Sequence, residues 1–487
     1  MAESLKEKVV NGAIWNGVEK FITALLLFVS NMVLARLLAP DDFGCIGMLM
    51  VFISIADAIV DGGFGAALVQ KKEVTSTDYS TIFFWNIIVS VSLYVILFLS
   101  APVIASFYKM EILTNILRVQ GVVLLFNGLC IIQRSMLQKN MLFKKLAKIN
   151  IISTMAGTIL GIILAYIGYG VWSLVIKLIF TSLMASIVLW TGTRWLPIYT
   201  FSKKSFRSLF KFGGFMFLAS ITNSIYQNVI SLVIGKSMSP ATLGYFTQAR
   251  KLEDVPRRTI SSIVTNVTFP AFSRLLNEKN KAVSALRESL TIIGFINISF
   301  SILLMITAKP LIVTLLTVKW IACVPYFRII CLYGMALGFI DLYQSVLKGL
   351  GKSNVLFYTG IIRKSIGILL ILVGTFWGMK GLLSGYIIGQ MIGLSIVAYA
   401  IKRILDYSLL QQIADIFKSA IAAVCAGALT VMAGVCFKDL SNLLQLITMS
   451  IIYISIMVFL TVVFRIKSGI LLKDIIKKKA VCLQERA

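Results

Sequence analysis

Fourteen times along this chain an apolar run of about 18–27 residues recurs, long enough to cross the hydrocarbon core of a bilayer as a helix. Their limits read as 9–35, 43–69, 79–106, 112–132, 149–166, 171–191, 212–234, 241–264, 289–307, 321–347, 354–376, 382–401, 420–436 and 442–464. In hydrocarbon every backbone N–H and C=O must find its partner inside the protein, so segments of this length and composition can only be helices. The 487 residues are 58% hydrophobic with a mean hydropathy of +0.91, too apolar for a soluble globule. The expected fold is therefore an all-α polytopic membrane protein with about 14 transmembrane helices. The eighth run carries the most charge and is the weakest by hydropathy.

Basic residues orient the spans. With the N-terminus in the cytoplasm, thirty of the 47 Lys and Arg fall in inner connections, seven in outer ones and ten within spans. That asymmetry predicts both termini in the cytoplasm. The net charge of +27 would suggest nucleic acid for a soluble chain; here it lies in short connections, and no nucleic acid is expected. Lys477, Lys478 and Lys479 read as a solvated or headgroup-facing tail. The first run extends past Ala24 to about Ala35, too long for a signal-peptide core, and is expected to stay as a helix. The seven Cys form no CxxC pair and read as small core residues. There is no His, which removes the usual general base and the commonest metal ligand. No metal or cofactor is expected.

Ten cations stand inside the spans with six acids: Lys20, Arg118, Lys177, Arg250, Lys251, Arg257, Arg258, Arg328, Arg363 and Lys364. Each would cost about 2.5–3.5 kcal/mol at a bilayer centre. All ten facing lipid would exceed the margin of a folded protein, so most must face protein or water. A basic, wet interior suits something polar and negatively charged. In span eight, Arg250, Asp254, Arg257, Arg258 and Ser261 share one helical face, with Lys251 and Glu253 beside it and Pro256 able to bend the helix. The face either lines a cavity or forms an internal ladder, Arg250 to Asp254 and Glu253 to Arg257. Lys20 shares a face with Asn16 and Thr23; it is a phosphate ligand or the partner of Glu19 or another helix. Arg363 and Lys364 lie mid-span and favour a cavity, whereas Lys177 can snorkel. Asp57 and Asp61, one turn apart, either take a proton or Na⁺ or neutralise a nearby Arg. Asp341, with Gln344, has the same ambiguity. The Gly-Lys-Ser triplets at 235–237 and 351–353 hold Ile230 and Val346 where a phosphate loop needs Gly, so no nucleotide site is expected.

The chain also repeats itself. Residues 34–44 recur as 234–244, matching Pro40 with Pro240 and Gly44 with Gly244. Pro102 pairs with Pro310, Leu117-Arg118-Val119 with Phe327-Arg328-Ile329, and Ser135-Met136-Leu137 with Ser345-Val346-Leu347. Gly168 to Ser173 echoes Gly378 to Ser384. Arg118 and Arg328 thus occupy matching positions, as conduit residues or as symmetric scaffold ion pairs. Six spans per unit return the chain to its starting side, so the repeat is parallel. This predicts an N-terminal lobe over 1–204, a C-terminal lobe over 205–404, and two further helices with a basic tail over 405–487.

Residues 34–70, LARLLAPDDFGCIGMLMVFISIADAIVDGGFGAALVQ, resemble the signature region of Wzx/WzxC-type polysaccharide flippases of the multidrug/oligosaccharidyl-lipid/polysaccharide exporter superfamily. GYGVWSLV (168–175), LGYFTQARKLEDVP (243–256) and FPAFSRL (269–275) are similar to further landmarks of that group. The resemblance implies two six-helix, MATE-like lobes around a central cavity plus two extra helices. It implies a flippase, not an enzyme, of the bacterial inner membrane, moving undecaprenyl-diphosphate-linked oligosaccharide to the outer leaflet by alternating access. Polysaccharide polymerase or export machinery would be its protein partners. At Tyr226-Gln227-Asn228 the chain departs from the group, holding neutral Asn228 where an acid is expected. Within that frame Arg250, Lys251, Arg257, Arg258, Lys20, Arg363, Lys364, Arg118 and Arg328 are the diphosphate candidates. Asp57, Asp61, Glu253, Asp254 and Asp341 are candidates for coupling or charge balance. The alternative is a MATE-type cation-coupled multidrug antiporter, against which the basic excess counts.

Overall fold

The computed structural model describes residues 5–276 and 278–464, and the Lys477–Lys479 tail lies outside them. Among the described residues the chain is helical, with no strand. The helices are α1 (Leu5–Leu37), α2 (Pro40–Asp61), α3 (Phe64–Gln70), α4 (Ser76–Tyr108), α5 (Ile112–Gln120) and α6 (Val122–Lys139). There follow α7 (Phe143–Ile167), α8 (Val171–Thr193), α9 (Lys203–Ser237), α10 (Pro240–Ser273), α11 (Lys279–Ile306) and α12 (Ala308–Leu316). The last five are α13 (Cys323–Gly349), α14 (Ser353–Gly374), α15 (Gly378–Leu405), α16 (Leu409–Gly434) and α17 (Asn442–Val463).

Twelve stretches among the described residues are long and apolar enough to cross a membrane. One of them, 353–405, contains both α14 and α15, and α10 falls outside the twelve because of its charge. The helices are thus consistent with the fourteen expected crossings, and the chain is a multi-pass membrane protein. Short helices α3, α5 and α12 extend or connect the long ones, which hydropathy windows alone do not resolve.

Local sequence explains the helix ends. Pro40 opens α2 at a position whose N–H has no intrahelical partner anyway, and the Asp42 carboxylate accepts from the Ala39 N–H at 2.9 Å. α4 begins with a reciprocal cap: Thr75 Oγ1 accepts from the Asp78 N–H and Asp78 Oδ2 from the Thr75 N–H. α2 stops at Gly62 and Gly63, both left-handed, with φ of 56° and 70°.

The chain packs as two compact units, 1–247 and 248–487, which divide within α10. In the first unit α7 lies against α1 and α8, α6 against α4 and α8, and α9 against α2, α3 and α4. Its core gathers Phe64, Leu68, Ile82, Phe83 and Ile132, rimmed by Trp85, Trp190, Trp195 and Phe206. In the second unit α13 packs on α11 and α15, α14 on α15, and α16 on α11 and α17. Its core gathers Leu286, Leu290, Leu342, Val346, Ala422 and Ala426. The two helices beyond the repeat are therefore built into this unit, and Tyr453 of α17 donates to the Ser299 carbonyl of α11 at 3.0 Å. Outward faces stay apolar: Leu99, Val103, Val458 and Val462 are all more than 60% exposed, as lipid-facing side chains should be.

The sequence repeat has a physical counterpart in the first unit. A Cβ on Gly44 would lie 2.6 Å from the carbonyl carbon of Pro240, and one on Gly244 would lie 2.8 Å from that of Pro40. Each glycine seats the other repeat's proline carbonyl, a reciprocal contact that only two equivalent turns can make.

Candidate functional site

α10 gathers six charged residues between 250 and 258. Arg257 Nε donates to Glu253 Oε2 at 3.2 Å, and its Nη2 donates to Asp254 Oδ1. Arg258 Nη2 donates to the other Asp254 oxygen at 3.2 Å. The ladder follows i, i+3 and i+4 spacing, which stacks these side chains on one side of a helix. Glu253 is only 5% exposed, whereas Arg258 and Lys251 are exposed. Arg250 stands within electrostatic reach of Asp254 and Arg257 on its own helix and of the Tyr333 and Tyr386 phenols. From 248 onward α10 therefore holds four cations against two acids.

Other helices of the second unit close on this ladder. A Cβ on Gly334 of α13 would sit 2.6 Å from Glu253 Cδ, so the absence of a side chain there makes room for the carboxylate. Ser261 Oγ donates to Asp341 Oδ2 of α13 at 2.5 Å. A small void of about 10 Å³ borders Glu253, Arg257, Asn297 and Ser301, room for roughly one water. Proline at 256 deprives the helix of one backbone donor beside these charges. Tyr333 of α13 and Tyr386 of α15 stack at 4.0 Å with planes 10° apart. Arg363 of α14 is buried beside Gly393 of α15, and Lys364 is half-buried.

The remaining candidates are dispersed. Lys20 is exposed on α1, and its neighbour Glu19 accepts instead from Asn150 Nδ2 at 3.0 Å. Arg118 donates to the Phe98 carbonyl at 3.3 Å and Arg328 to the Met305 carbonyl at 3.3 Å. Matching residues thus make matching bonds to a preceding helix, with carbonyls rather than carboxylates. Arg118 also covers the Phe98 ring at 4.5 Å. Lys177 Nζ donates to buried Ser30 of α1 at 2.6 Å.

In the first unit Asp57 accepts from Asn127 Nδ2 of α6 at 2.8 Å, and Asp61 accepts from the Gly63 N–H at 3.3 Å. Arg134 of α6 lies within electrostatic reach of both acids. Sequence reading passed over Arg134 because it stands just beyond the apolar run 112–132; its signal was the two acids needing a counter-charge. Asn228 Nδ2 donates to Ser54 Oγ of α2 at 2.9 Å, so the neutral residue is held in a neutral bond. Since Pro40 and Pro240 each open their helices, position 57 corresponds to 257 and 61 to 261. The repeats therefore hold Asp57 against Arg257 and Asp61 against Ser261. Charge has been exchanged between otherwise equivalent helices.

A profile of the family described as "Polysaccharide biosynthesis protein" matches residues 33–325. The chain belongs to this family. The match begins at the 34–70 signature and runs through α10 and its charge ladder. The teichuronic acid biosynthesis protein TuaB of Bacillus subtilis is 27% identical over 368 residues, covering 73% of this chain and 74% of its own. The lipopolysaccharide biosynthesis protein WzxC of Escherichia coli is 25% identical over 425 residues, covering 85% of each chain. Among solved structures, the lipid II flippase MurJ in an inward closed conformation superposes with a TM-score of 0.74 at 15% identity. That superposition covers 92% of this chain and 98% of MurJ, and shows that the two share a fold.

Proposed function

We propose that this chain is a flippase of the bacterial cytoplasmic membrane, with both termini in the cytoplasm. It carries undecaprenyl-diphosphate-linked oligosaccharide repeat units to the outer leaflet for surface polysaccharide biosynthesis, such as O-antigen, capsule or exopolysaccharide. The observation that carries this reading is the ladder that orients Arg257 and Arg258 on α10, a helix that from 248 onward holds four cations to two acids. Two carboxylates, Glu253 and Asp254, hold Arg257 and Arg258 in orientation. A preoriented guanidinium pairs with phosphate oxygens bidentately and loses little freedom on doing so. A diphosphate bearing several sugars cannot cross hydrocarbon unaided, because each unpaired polar group costs several kcal/mol there. The polyprenyl tail, in contrast, can stay in lipid throughout.

In this mechanism Arg250, Lys251, Arg257 and Arg258 offer the head group a basic path that opens alternately to either side, and Lys20 on α1 is a further candidate contact for the diphosphate. Glu253 and Asp254 act as positioning residues. Asp57 and Asp61 balance Arg134, and Asp341 holds Ser261 beside the ladder. Membership of the polysaccharide biosynthesis family and the names of TuaB and WzxC support the sugar-bearing cargo. The family's polymerase and export machinery would receive the product.

Deleting the gene in its own bacterium tests the reading. The expected outcome is loss of one surface glycan with accumulation of its polyprenyl-linked repeat unit, restored by the wild-type chain. Unchanged surface glycan, or accumulation of no lipid-linked intermediate, would refute it.

A further inference from the structure

Inside the second unit, the Arg363 side chain presents an unanswered charge. The residue is 7% exposed, and its Nε and Nη1 are buried without a hydrogen-bond partner among the described residues. No carboxylate there lies within ion-pair distance of it. Gln390 of α15 repeats the situation: it is 1% exposed, and neither its amide nitrogen nor its amide oxygen has a partner. Unpartnered buried polar atoms of this kind ask for a ligand or a water, since a folded chain rarely leaves them orphaned.

These groups share one place. Tyr386, Gln390 and Gly393 stand at i, i+4 and i+7 on α15 and form a single stripe. A Cβ on Gly393 would lie 2.6 Å from Arg363 Cδ, so the aliphatic stem of the arginine rests on that stripe. Tyr386 stacks on Tyr333, and Tyr333 feels both Arg250 and Arg363 electrostatically. The Arg363 stem and the Gln390 amide thus share the α14–α15 contact with the phenol pair of α13 and α15, and Arg250 of α10 lies within electrostatic reach of Tyr333. Guanidinium is a donor without acceptor capacity, and the buried Gln390 amide nitrogen has donors to give. Two fixed positive charges repel a metal cation. What such a set accepts is an anion, and the burial of Arg363 and Gln390 restricts it to a small one.

We infer that Arg363, Gln390 and the Tyr333–Tyr386 pair, with Arg250 nearby, form a binding site for a chloride-sized inorganic anion. The anion supplies the counter-charge Arg363 lacks and ties α13, α14 and α15 together. The site goes beyond the transport reading and does not depend on it, because its occupancy is read without any flipping step.

The test uses purified full-length protein in detergent, in sodium gluconate at fixed ionic strength. Sodium chloride, and separately inorganic pyrophosphate, are titrated in while melting is followed and the ³⁵Cl line width recorded. The expected result is a saturable upward shift in melting temperature with chloride, absent in gluconate, together with broadening of the ³⁵Cl line. R363M, which keeps the stem against Gly393, and Q390L should each reduce the chloride shift. A shift of equal size in gluconate, or one that survives in R363M, overturns the site. If R363M does not fold, the wild-type line width decides alone, and an unbroadened line overturns the site. Stabilisation by pyrophosphate without any by chloride also overturns it and returns Arg363 to the head-group path.

Discussion

Replacing Gly44 by Ala tests the reciprocal contact between α2 and α10 and, through it, the reality of the internal duplication. The new methyl carbon would stand 2.6 Å from the Pro240 carbonyl carbon, where carbon atoms normally approach no closer than about 3.5 Å. The turns must therefore part by close to an ångström. Overpacking of this order costs about 1–3 kcal/mol. G244A, at 2.8 Å from the Pro40 carbonyl carbon, should cost a similar amount for the same reason. The informative quantity is the double variant. One separation of the two turns relieves both clashes, so G44A/G244A should cost clearly less than the sum of the singles, with a coupling of about 0.5–3 kcal/mol. Equilibrium unfolding of purified protein in mixed micelles, with each variant's free energy compared, measures this. Additive singles, or a G44A variant as stable as wild type, would refute the reciprocal packing.

Three further outcomes follow from particular contacts. R257A removes both neighbours' main partner and leaves Glu253 buried with its charge uncompensated, so stability should fall by about 3–5 kcal/mol. R257A/E253Q should recover part of that loss in the same unfolding measurement, and no recovery would contradict the ladder. Y407F removes a 2.5 Å hydrogen bond to Asp415, which Arg287 also holds through two nitrogens at 2.7 and 3.0 Å. Burial, with the Asp415 carboxylate beside it, pushes the Tyr407 phenol above its ordinary range and keeps it a neutral donor; the variant should lose about 1.5–3 kcal/mol, and an unchanged unfolding free energy would count against that role. N127L withdraws the amide from Asp57 and should destabilise by about 1–3 kcal/mol, whereas D57N/N127L should be milder than the single change if the cost is an unsatisfied buried acceptor.

The spans were legible because hydrocarbon solvent imposes one rule on every residue in them. The repeat was legible because Pro and Gly mark the turns it reuses: Pro40 and Pro240 open equivalent helices, and Gly44 and Gly244 meet each other's prolines. The Glu253–Arg257 step could be read from spacing along a single helix. What could not be read were approaches between helices distant in sequence. Nothing local to Gly334 announces that it makes room for Glu253, and nothing in Gly393 announces the stem of Arg363. Arg118 and Arg328 showed their equivalence in sequence, but their bonds to carbonyls required the fold, since any backbone oxygen can accept. Nothing near Lys177 in sequence announces its bond to Ser30, far away on α1. Short helices α3 and α12 were hidden because a hydropathy window averages over breaks as brief as Gly62-Gly63.

The central claim, that oriented cations on α10 carry a diphosphate-linked glycan across the bilayer, is tested most directly in proteoliposomes. A fluorescent polyprenyl-diphosphate oligosaccharide is placed in both leaflets, and the fraction reached by a membrane-impermeant quencher is followed over time. With wild-type protein the quenched fraction should rise from about half toward completion, and R257K/R258A, correctly inserted, should slow that rise at least tenfold. Wild-type protein that leaves the inner-leaflet half protected, or a variant that flips as fast as wild type, would contradict the account.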